Sequence, residues 1–186
     1  YQLNVTNEES INIMIEHFMT ENIKINGLVY TVGKAVTLPL NSIKTEAYKE
    51  LIELNTLSFF NLISKLATHQ LILEQGASIV VISSIVGQYG ARGKIAYALT
   101  KGAIDSGIKS LALELASKNI RVNAIAPGTV QTEMLDKLIS SIGEEEVKKM
   151  LLDYPLGLGY PHDISNLAVF LLSKQSKWIT GSIITI

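Results

Sequence analysis

Two residues four positions apart, Tyr97 and Lys101, have the types and the spacing needed to move a proton. On a helix this spacing puts both side chains on one face. A tyrosine ordinarily titrates near ~10, and a neighbouring ammonium favours the phenolate, so the pair could exchange a proton near neutral pH. Alone, such a pair is more often a surface pair, and Tyr30 with Lys34 repeats the spacing. Only Tyr97 falls within a predicted helix, whereas Tyr30 ends a predicted strand.

A serine follows the strand that precedes this helix. Ser84 lies thirteen residues before Tyr97, immediately after the apolar run of residues 78–83. A hydroxyl at the end of a buried strand can enter a crevice and donate a hydrogen bond to a substrate oxygen. The three side chains together predict acid–base chemistry on an oxygen-bearing substrate.

The elements that position these residues alternate between helices and strands. The apolar spacing predicts helices over 7–20, 47–67, 95–117 and 161–172, and strands over 27–32, 78–83, 120–125 and 182–186. The strand at 78–83 is β-branched and apolar at consecutive positions, which is typical of a parallel sheet buried on both faces. We therefore predict an α/β fold, an open, doubly wound parallel sheet with right-handed crossovers.

In such sheets, ligands bind outside the carboxyl ends of the strands. Three segments follow predicted strands, residues 31–33, 83–87 and 127–132. We expect them to meet at one crevice, which would receive the side chains of Ser84 and Tyr97.

Composition bounds the class of protein. The chain has 186 residues, of which 47% are hydrophobic and 18% charged, so we predict one domain over residues 1–186. Its net charge of −1 gives no electrostatic footprint for nucleic acid, and its apolar stretches are too short to span a bilayer. The absence of cysteine excludes cysteine-ligated metal and a cysteine nucleophile, and the three histidines lack metal-ligand spacing. We expect a cytoplasmic protein without metal, nucleic-acid partner or membrane anchor.

Several stretches together resemble the classical short-chain dehydrogenase/reductase family. Residues 82–87 (ISSIVG) are similar to its catalytic-serine loop, 97–103 (YALTKGA) to its active-site helix, and 120–128 (IRVNAIAPG) to its cofactor-side strand and turn. Residues 161–164 and 179–181 resemble its closing helix and last strand. Among the subgroups, the 3-oxoacyl-acyl carrier protein reductases are most similar.

The resemblance implies a role for each matching residue. Tyr97 would supply the proton, Lys101 would lower the pKa of Tyr97 and bond the nicotinamide ribose, Ser84 would orient the substrate oxygen, and Asn55 would relay protons through a water. The implied cofactor is NADP or NAD, with NADP slightly favoured. Besides Tyr97 and Lys101, the residues implied to contact it are Asn4, Val5, Thr31, Gly33, Pro127, Gly128, Val130 and Thr132. Thr132 could equally be the N-cap of a following helix.

The resemblance also implies hydride transfer between a nicotinamide and a ketone or secondary alcohol, in fatty acid biosynthesis for the closest subgroup. The substrate would be a small carbonyl compound or an acyl thioester, and the protein a homotetramer or homodimer. Residues 129–156 would form a substrate lid. Its apolar residues are Met134, Leu135, Leu138, Ile139, Met150 and Leu151.

Three departures from the family pattern support an alternative. The sequence lacks the family's first strand–helix–strand unit, with its glycine-rich turn, and its extreme C-terminus. Residues 30–33 read Tyr-Thr-Val-Gly where the family usually has Asn-Asn-Ala-Gly, and Asn4 replaces an acidic residue. The bulk of Tyr30 and Val32 is expected to weaken the adenosine contact. The alternative is therefore a non-catalytic module of the same fold, used for binding or oligomerisation.

Overall fold

The computed structural model of the protein describes residues 2–73, 76–140, 144–152 and 154–186. The side chains of residues 134, 137, 138, 144, 146 and 150 lie outside that description. The helices are α1 (Glu8–Thr20), α2 (Thr45–Ile52), α3 (Ser58–Thr68), α4 (Val86–Tyr89), α5 (Ile95–Ala116), α6 (Glu133–Ile139), α7 (Glu144–Leu152) and α8 (Pro161–Leu172). The strands are β1 (Gly27–Tyr30), β2 (Ser78–Ile82), β3 (Arg121–Ala126) and β4 (Ile183–Thr185).

The four strands form one parallel sheet in the order β1-β2-β3-β4. Val80 in the middle of β2 is opposite Val29 of β1 and Asn123 of β3. Helices cover both faces of this sheet, so the predicted doubly wound α/β architecture is confirmed. The central strands are buried on both faces, as their continuous apolar sequence indicated.

Alternation along the strands divides the core into two layers. Ile79 and Val81 of β2 face α1, α3 and α5 in the larger core, whereas Val80 between them faces α8 in the smaller one. This follows from the two-residue period of a strand, which sends successive side chains to opposite faces. The buried residues of α5, among them Ile104 and Ile108, complete the larger layer.

One connection differs in hand from the others. The strands are neighbours in chain order, so every connection steps in the same direction across the sheet. The β1–β2 and β2–β3 connections cross by α3 and α5 on one face, and the β3–β4 connection crosses by α8 on the other. Crossovers that step the same way over opposite faces have opposite hands. The chain therefore contains one exception to the rule that nearly all such crossovers are right-handed.

The helix predicted over residues 47–67 is interrupted by a π-helical turn. That turn spans Glu53–Leu57, between α2 and α3, and it contains the fully buried Asn55. A π turn adds a residue to the helical repeat and displaces the side chains around it, which is frequent at functional sites. The step from Leu54 to Phe59 across this turn is five residues, longer than the three- and four-residue steps of an α-helix, and the prediction of one continuous helix passed over it.

Within the described residues, no helix combines the length and the apolar character needed to cross a membrane. The same part of the chain holds no group of three or more histidine, aspartate or glutamate side chains placed to bind a metal ion.

Candidate active site

A crevice of about 610 Å³ opens at the carboxyl ends of β1, β2 and β3. The loops that follow these strands form its walls, and α5 closes one side. The prediction that residues 31–33, 83–87 and 127–132 meet is confirmed. The lining residues are Thr31, Gly33, Ala35, Thr37, Ile82, Ser83, Ser84, Val86, Lys94, Tyr97, Lys101, Pro127, Gly128, Thr129, Val130, Thr132 and Leu135.

Helix α5 presents Tyr97 and Lys101 to this crevice. Lys101 is only 3% exposed, and its ammonium donates a hydrogen bond to the carbonyl oxygen of Ile82, at 2.8 Å. The same ammonium lies over the Tyr97 ring, 5.7 Å from its centroid. The i, i+4 spacing therefore brings the two side chains together as predicted, with the lysine anchored to the end of β2.

The pKa of Tyr97 shifts in the direction opposite to the expectation. Burial of the phenol raises this pKa above its ordinary value, and interaction with the Ser84 hydroxyl lowers it by a smaller amount. In this state the phenol holds its proton at neutral pH.

The pKa of Lys101 is shifted strongly toward neutrality. Burial lowers its pKa to about 8, and the negative charge of Asp105 opposes this shift. Asp105 lies four residues further along α5 and is 7% exposed, with the Ser83 and Gln88 side chains beside its carboxylate. Burial raises the pKa of Asp105. Asp105 is thus a negatively charged neighbour of Lys101. The sequence motifs did not identify it, although its i+4 spacing from Lys101 can be seen in the sequence.

Ser84 is fixed by the turn that leads from β2 into α4. Its side-chain oxygen accepts a hydrogen bond from the Val86 N–H at 3.2 Å, and the Ile85 N–H donates to the Pro127 carbonyl at 3.1 Å. The residue is 8% exposed and lines the crevice. Its hydroxyl is therefore held beside Tyr97 by the backbone on both sides of it.

Asn55 lies behind the crevice rather than in its lining. Its side-chain oxygen accepts from the Lys34 N–H at 2.8 Å, and its amide nitrogen donates to the Lys34 carbonyl at 2.9 Å and to the Thr100 hydroxyl at 3.1 Å. Thr100 in turn donates to the Tyr97 carbonyl at 2.8 Å. Asn55 thus ties the loop after β1 to the turn of α5 that carries Tyr97. Thr100 was not identified from the sequence.

The third wall follows β3. The Gly128 N–H donates to the Ile186 carbonyl at 2.7 Å, and the hydroxyls of Thr129 and Tyr154 share a short hydrogen bond. Thr132 lines the crevice and also begins α6, because its carbonyl accepts from the N–H groups of residues 135 and 136. Its hydroxyl donates to the Val130 carbonyl at 3.4 Å. Thr132 thus lies at the start of α6, and its contact with a cofactor stays a prediction.

Two apolar residues of the predicted lid differ in their surroundings. Leu135 is buried and lines the crevice, whereas Leu151 is 41% exposed. The side chains of Met134, Leu138 and Met150, which were assigned to the lid, lie outside the described residues.

Asn4 and Val5 are not brought into this crevice. The Asn4 side chain accepts from the N–H and the hydroxyl of Thr6, and its N–H donates to Ser10 in the first turn of α1. Val5 lines a separate hollow between α1 and α3. The adenine-side residues therefore lie apart from the residues around Tyr97.

The bulky residues of the 30–33 segment do not fill the crevice either. Tyr30 is 4% exposed, its ring packs on Phe59 and its hydroxyl bonds the Ser58 hydroxyl at 2.6 Å. Val32 packs on the same core. Strand alternation turns Tyr30 and Val32 toward the core and leaves Thr31 and Gly33 facing the crevice, whereas the weaker adenosine contact expected from their bulk stays a prediction.

Comparison with known proteins extends over the whole chain. A sequence model of the family described as enoyl-(acyl carrier protein) reductase matches residues 1–186. A 3-oxoacyl-[acyl-carrier-protein] reductase of Thermotoga maritima is 34% identical over 187 residues, covering 100% of this chain and 74% of that protein.

Two solved structures share the fold. A short chain dehydrogenase family protein from Francisella tularensis superposes with a TM-score of 0.90 at 32% identity, covering 100% of this chain and 78% of the other. A 7α-hydroxysteroid dehydrogenase complexed with NADH and 7-oxo glycochenodeoxycholic acid gives a TM-score of 0.88 at 32% identity, covering 100% and 71%.

Proposed function

The chain belongs to the short-chain dehydrogenase/reductase family of NAD(P)-dependent oxidoreductases, and from that premise we propose that it reduces a ketone to a secondary alcohol with Tyr97 as the proton donor. The observation that carries this proposal is the placement of Ser84, Tyr97 and Lys101 together in one crevice at the carboxyl ends of the strands. Such crevices are where doubly wound sheets bind their ligands.

The crevice fits the nicotinamide half of the cofactor. Gly33 has no side chain, so its backbone leaves space beside Lys101. A Cβ at this position would lie 3.5 Å from the lysine ammonium and 3.5 Å from the Asn55 side-chain oxygen. Apolar surface from Ile82 and Pro127 faces this space. The residues we propose to hold the cofactor here are Thr31, Gly33, Tyr97, Lys101, Pro127, Gly128, Val130 and Thr132. The cofactor, when bound, supplies the hydride.

The chain's own groups handle the oxygen of the substrate. The Ser84 hydroxyl donates a hydrogen bond to the carbonyl oxygen, which polarises the carbonyl and stabilises negative charge as it develops. The Tyr97 phenol gives its proton to that oxygen, so the alcohol forms and a phenolate remains. The Lys101 ammonium, positive below about pH 8, then stabilises the phenolate.

Asn55 supports this arrangement as a positioning residue. Its hydrogen bonds to Lys34 and Thr100 hold the loop after β1 against the turn of α5 that bears Tyr97. A proton relay through Asn55 stays a prediction.

The substrate that the relatives favour is a 3-oxoacyl thioester of acyl carrier protein, which would place the protein in fatty acid biosynthesis. The bile-acid substrate named for the hydroxysteroid dehydrogenase keeps larger ketones as a second candidate class. We propose that the cofactor is NADP. The chain would form one domain, with residues 129–156 as its substrate lid. The protein would be a homotetramer or homodimer located in the cytoplasm. The alternative of a non-catalytic module loses its support from Tyr30 and Val32, since both side chains lie in the core.

Binding and turnover test the proposal separately. The full chain is titrated with NADPH and with NADH, following nicotinamide fluorescence. Trp178 is a poor reporter because it is 95% exposed and precedes β4, away from the carboxyl ends of the strands. Acetoacetyl thioesters are then offered with the cofactor that binds. Saturable binding with turnover supports the proposal, and a folded protein that binds neither nucleotide contradicts it.

A further inference from the structure

The loop that leaves the crevice wall after β3 returns to that wall before α8. Val130 and Gly159 form an isolated parallel β-bridge. The Gln131 N–H donates to the Gly159 carbonyl at 2.8 Å, and the Gly159 N–H donates to the Thr129 carbonyl at 3.1 Å. Residues 132–158 therefore begin and end at one narrow neck, and α6 and α7 lie between the two sides of that neck.

Tyr154 joins the end of this loop to the wall a second time. Its hydroxyl and that of Thr129 are 2.5 Å apart in a partly buried hydrogen bond. Its ring lies against the backbone of Gly128, where a Cβ would stand 3.3 Å from a ring carbon. Tyr154 thus contacts two successive residues of the wall, one through its ring and one through its hydroxyl.

The backbone of Tyr154 is hydrogen-bonded on both sides. Its N–H donates to the carbonyl of Leu151, in the last turn of α7, at 3.2 Å, and its carbonyl accepts from the Gly157 N–H at 2.9 Å. Gly157 has φ +81°, a left-handed conformation that glycine adopts without strain. The phenol is therefore carried by α7 and by the turn before the neck, so an outward movement of α7 would pull Tyr154 away from Thr129.

The wall that Tyr154 contacts faces the crevice on its other side. Gly128, Val130 and Thr132 line the crevice and belong to the residues that we propose to hold the cofactor. Tyr154 is not one of the described residues that line it. Any effect of this side chain on a bound nucleotide is therefore transmitted through the wall, by way of Gly128 and Thr129.

We propose that Tyr154 is a positioning residue whose hydrogen bond to Thr129, the latch, holds α6 and α7 against the crevice wall and retains the bound nucleotide. This inference rests on the proposed function, because it takes residues 128–132 to be the cofactor side of the crevice. A hydrogen bond between two hydroxyls changes an equilibrium constant by about 3- to 10-fold. Without the latch, part of the binding energy of the nucleotide is used to close the wall, so the apparent affinity falls.

Nucleotide binding and steady-state kinetics test the latch from both of its partners. Tyr154→Phe keeps the ring on Gly128 and removes the hydroxyl, and Thr129→Val removes the other hydroxyl at nearly constant volume. Each should raise the nucleotide Kd and KM about 3- to 10-fold and change kcat by less than about threefold. The double variant should bind no more weakly than the more affected single variant, because both changes remove the same bond. Thr129→Ser keeps a hydroxyl and should stay near the wild type.

Tryptic cleavage of α7 measures the latch without any turnover. Lys148 and Lys149 are exposed on this helix, and a protease cleaves a helix in proportion to its local opening. Tyr154→Phe, Thr129→Val and the double variant should all be cleaved there about 3- to 10-fold faster than the wild type.

The matched control is Tyr30→Phe, which removes a hydrogen bond between two hydroxyls, Tyr30 and Ser58, in the core. It should change neither the nucleotide Kd nor the cleavage of α7. Additive effects of Tyr154→Phe and Thr129→Val, a loss in only one of them, or unchanged cleavage would overturn the latch while the reductase activity stands. A wild type that binds no nucleotide would instead contradict the proposed function, and the cleavage rates would still decide whether Tyr154 holds α7.

Discussion

The ammonium of Lys101 lies 5.7 Å from the centroid of the Tyr97 ring while it donates a 2.8 Å hydrogen bond to the Ile82 carbonyl. The lysine is thus held by the strand end and acts on the tyrosine through its charge rather than by a bond to the phenolic oxygen. Because burial raises the pKa of Tyr97, the phenol enters the reaction protonated, as a donor for ketone reduction requires.

Replacing the phenol should abolish most of the reaction. Tyr97→Phe removes the only proton that we assign to the substrate oxygen, and ketone reduction should fall about 10²- to 10⁴-fold. The cofactor Kd should change far less, because the other residues proposed to hold the cofactor remain. Steady-state kinetics and nicotinamide fluorescence measure the two effects. Tyr89→Phe is the matched control, because Tyr89 lies on α4 and is 77% exposed. Reduction at the wild-type rate by Tyr97→Phe would show that another group donates the proton.

The pH dependence should follow the protonation of Lys101. Its pKa of about 8 lies below the ordinary lysine value, so the ammonium is present below that pH and lost above it. Reduction should therefore decline as the pH rises through about 8.

Asp105→Asn should move this decline to lower pH. The negative charge of Asp105 raises the pKa of Lys101, so its removal lets burial lower that pKa further. The measurement is the pH profile of kcat/KM, with Glu114→Gln, an exposed acid on the same helix, as the control. If the decline of kcat/KM in Asp105→Asn occurs at the wild-type pH or at a higher pH, Asp105 is not coupled to Lys101.

A methyl group at Gly87 should separate α4 from α5. A Cβ there would stand 2.8 Å from the Gly102 nitrogen and 2.9 Å from the Lys101 Cβ, closer than packed atoms approach. Gly87→Ala should lower the free energy of unfolding by about 1–3 kcal/mol and reduce activity, since the displaced backbone carries Lys101. Thermal and denaturant unfolding measure the loss.

The matched substitution for that experiment is Gly159→Ala. A Cβ at Gly159 meets only ordinary contacts, the closest at 3.7 Å. Unfolding of this variant should resemble the wild type, and an equal loss in both variants would contradict the packing argument.

Tyr30 should contribute to stability and not to cofactor affinity. Tyr30→Phe removes the hydrogen bond to Ser58 and should lower the free energy of unfolding by about 1 kcal/mol, with unchanged nucleotide binding. Thr31→Val, on the adjacent residue that faces the crevice, should weaken nucleotide binding instead. A weaker nucleotide affinity in Tyr30→Phe would place that side chain at the cofactor.

The sequence by itself determined the elements and the edge of the sheet where the site lies. Hydrophobic periodicity is local, so α8 begins and ends at its predicted residues, and β2 and α5 differ from theirs by one residue at the C-terminal end. The rule that ligands bind at the carboxyl ends of parallel strands then predicts one crevice at which Ser84, Tyr97 and Lys101 meet.

Only the tertiary structure decided the properties that depend on neighbours distant in sequence, such as pKa shifts and the directions of side chains. The upward pKa shift of Tyr97 arises from burial by several elements, and the position of Asn55 arises from a π turn that interrupts the helix predicted over residues 47–67. The direction of the Tyr30 side chain likewise follows from pairing of β1 with β2. Spacing shows which side chains share a face, but desolvation and hydrogen-bond partners belong to segments distant in sequence, which meet only when the chain has folded.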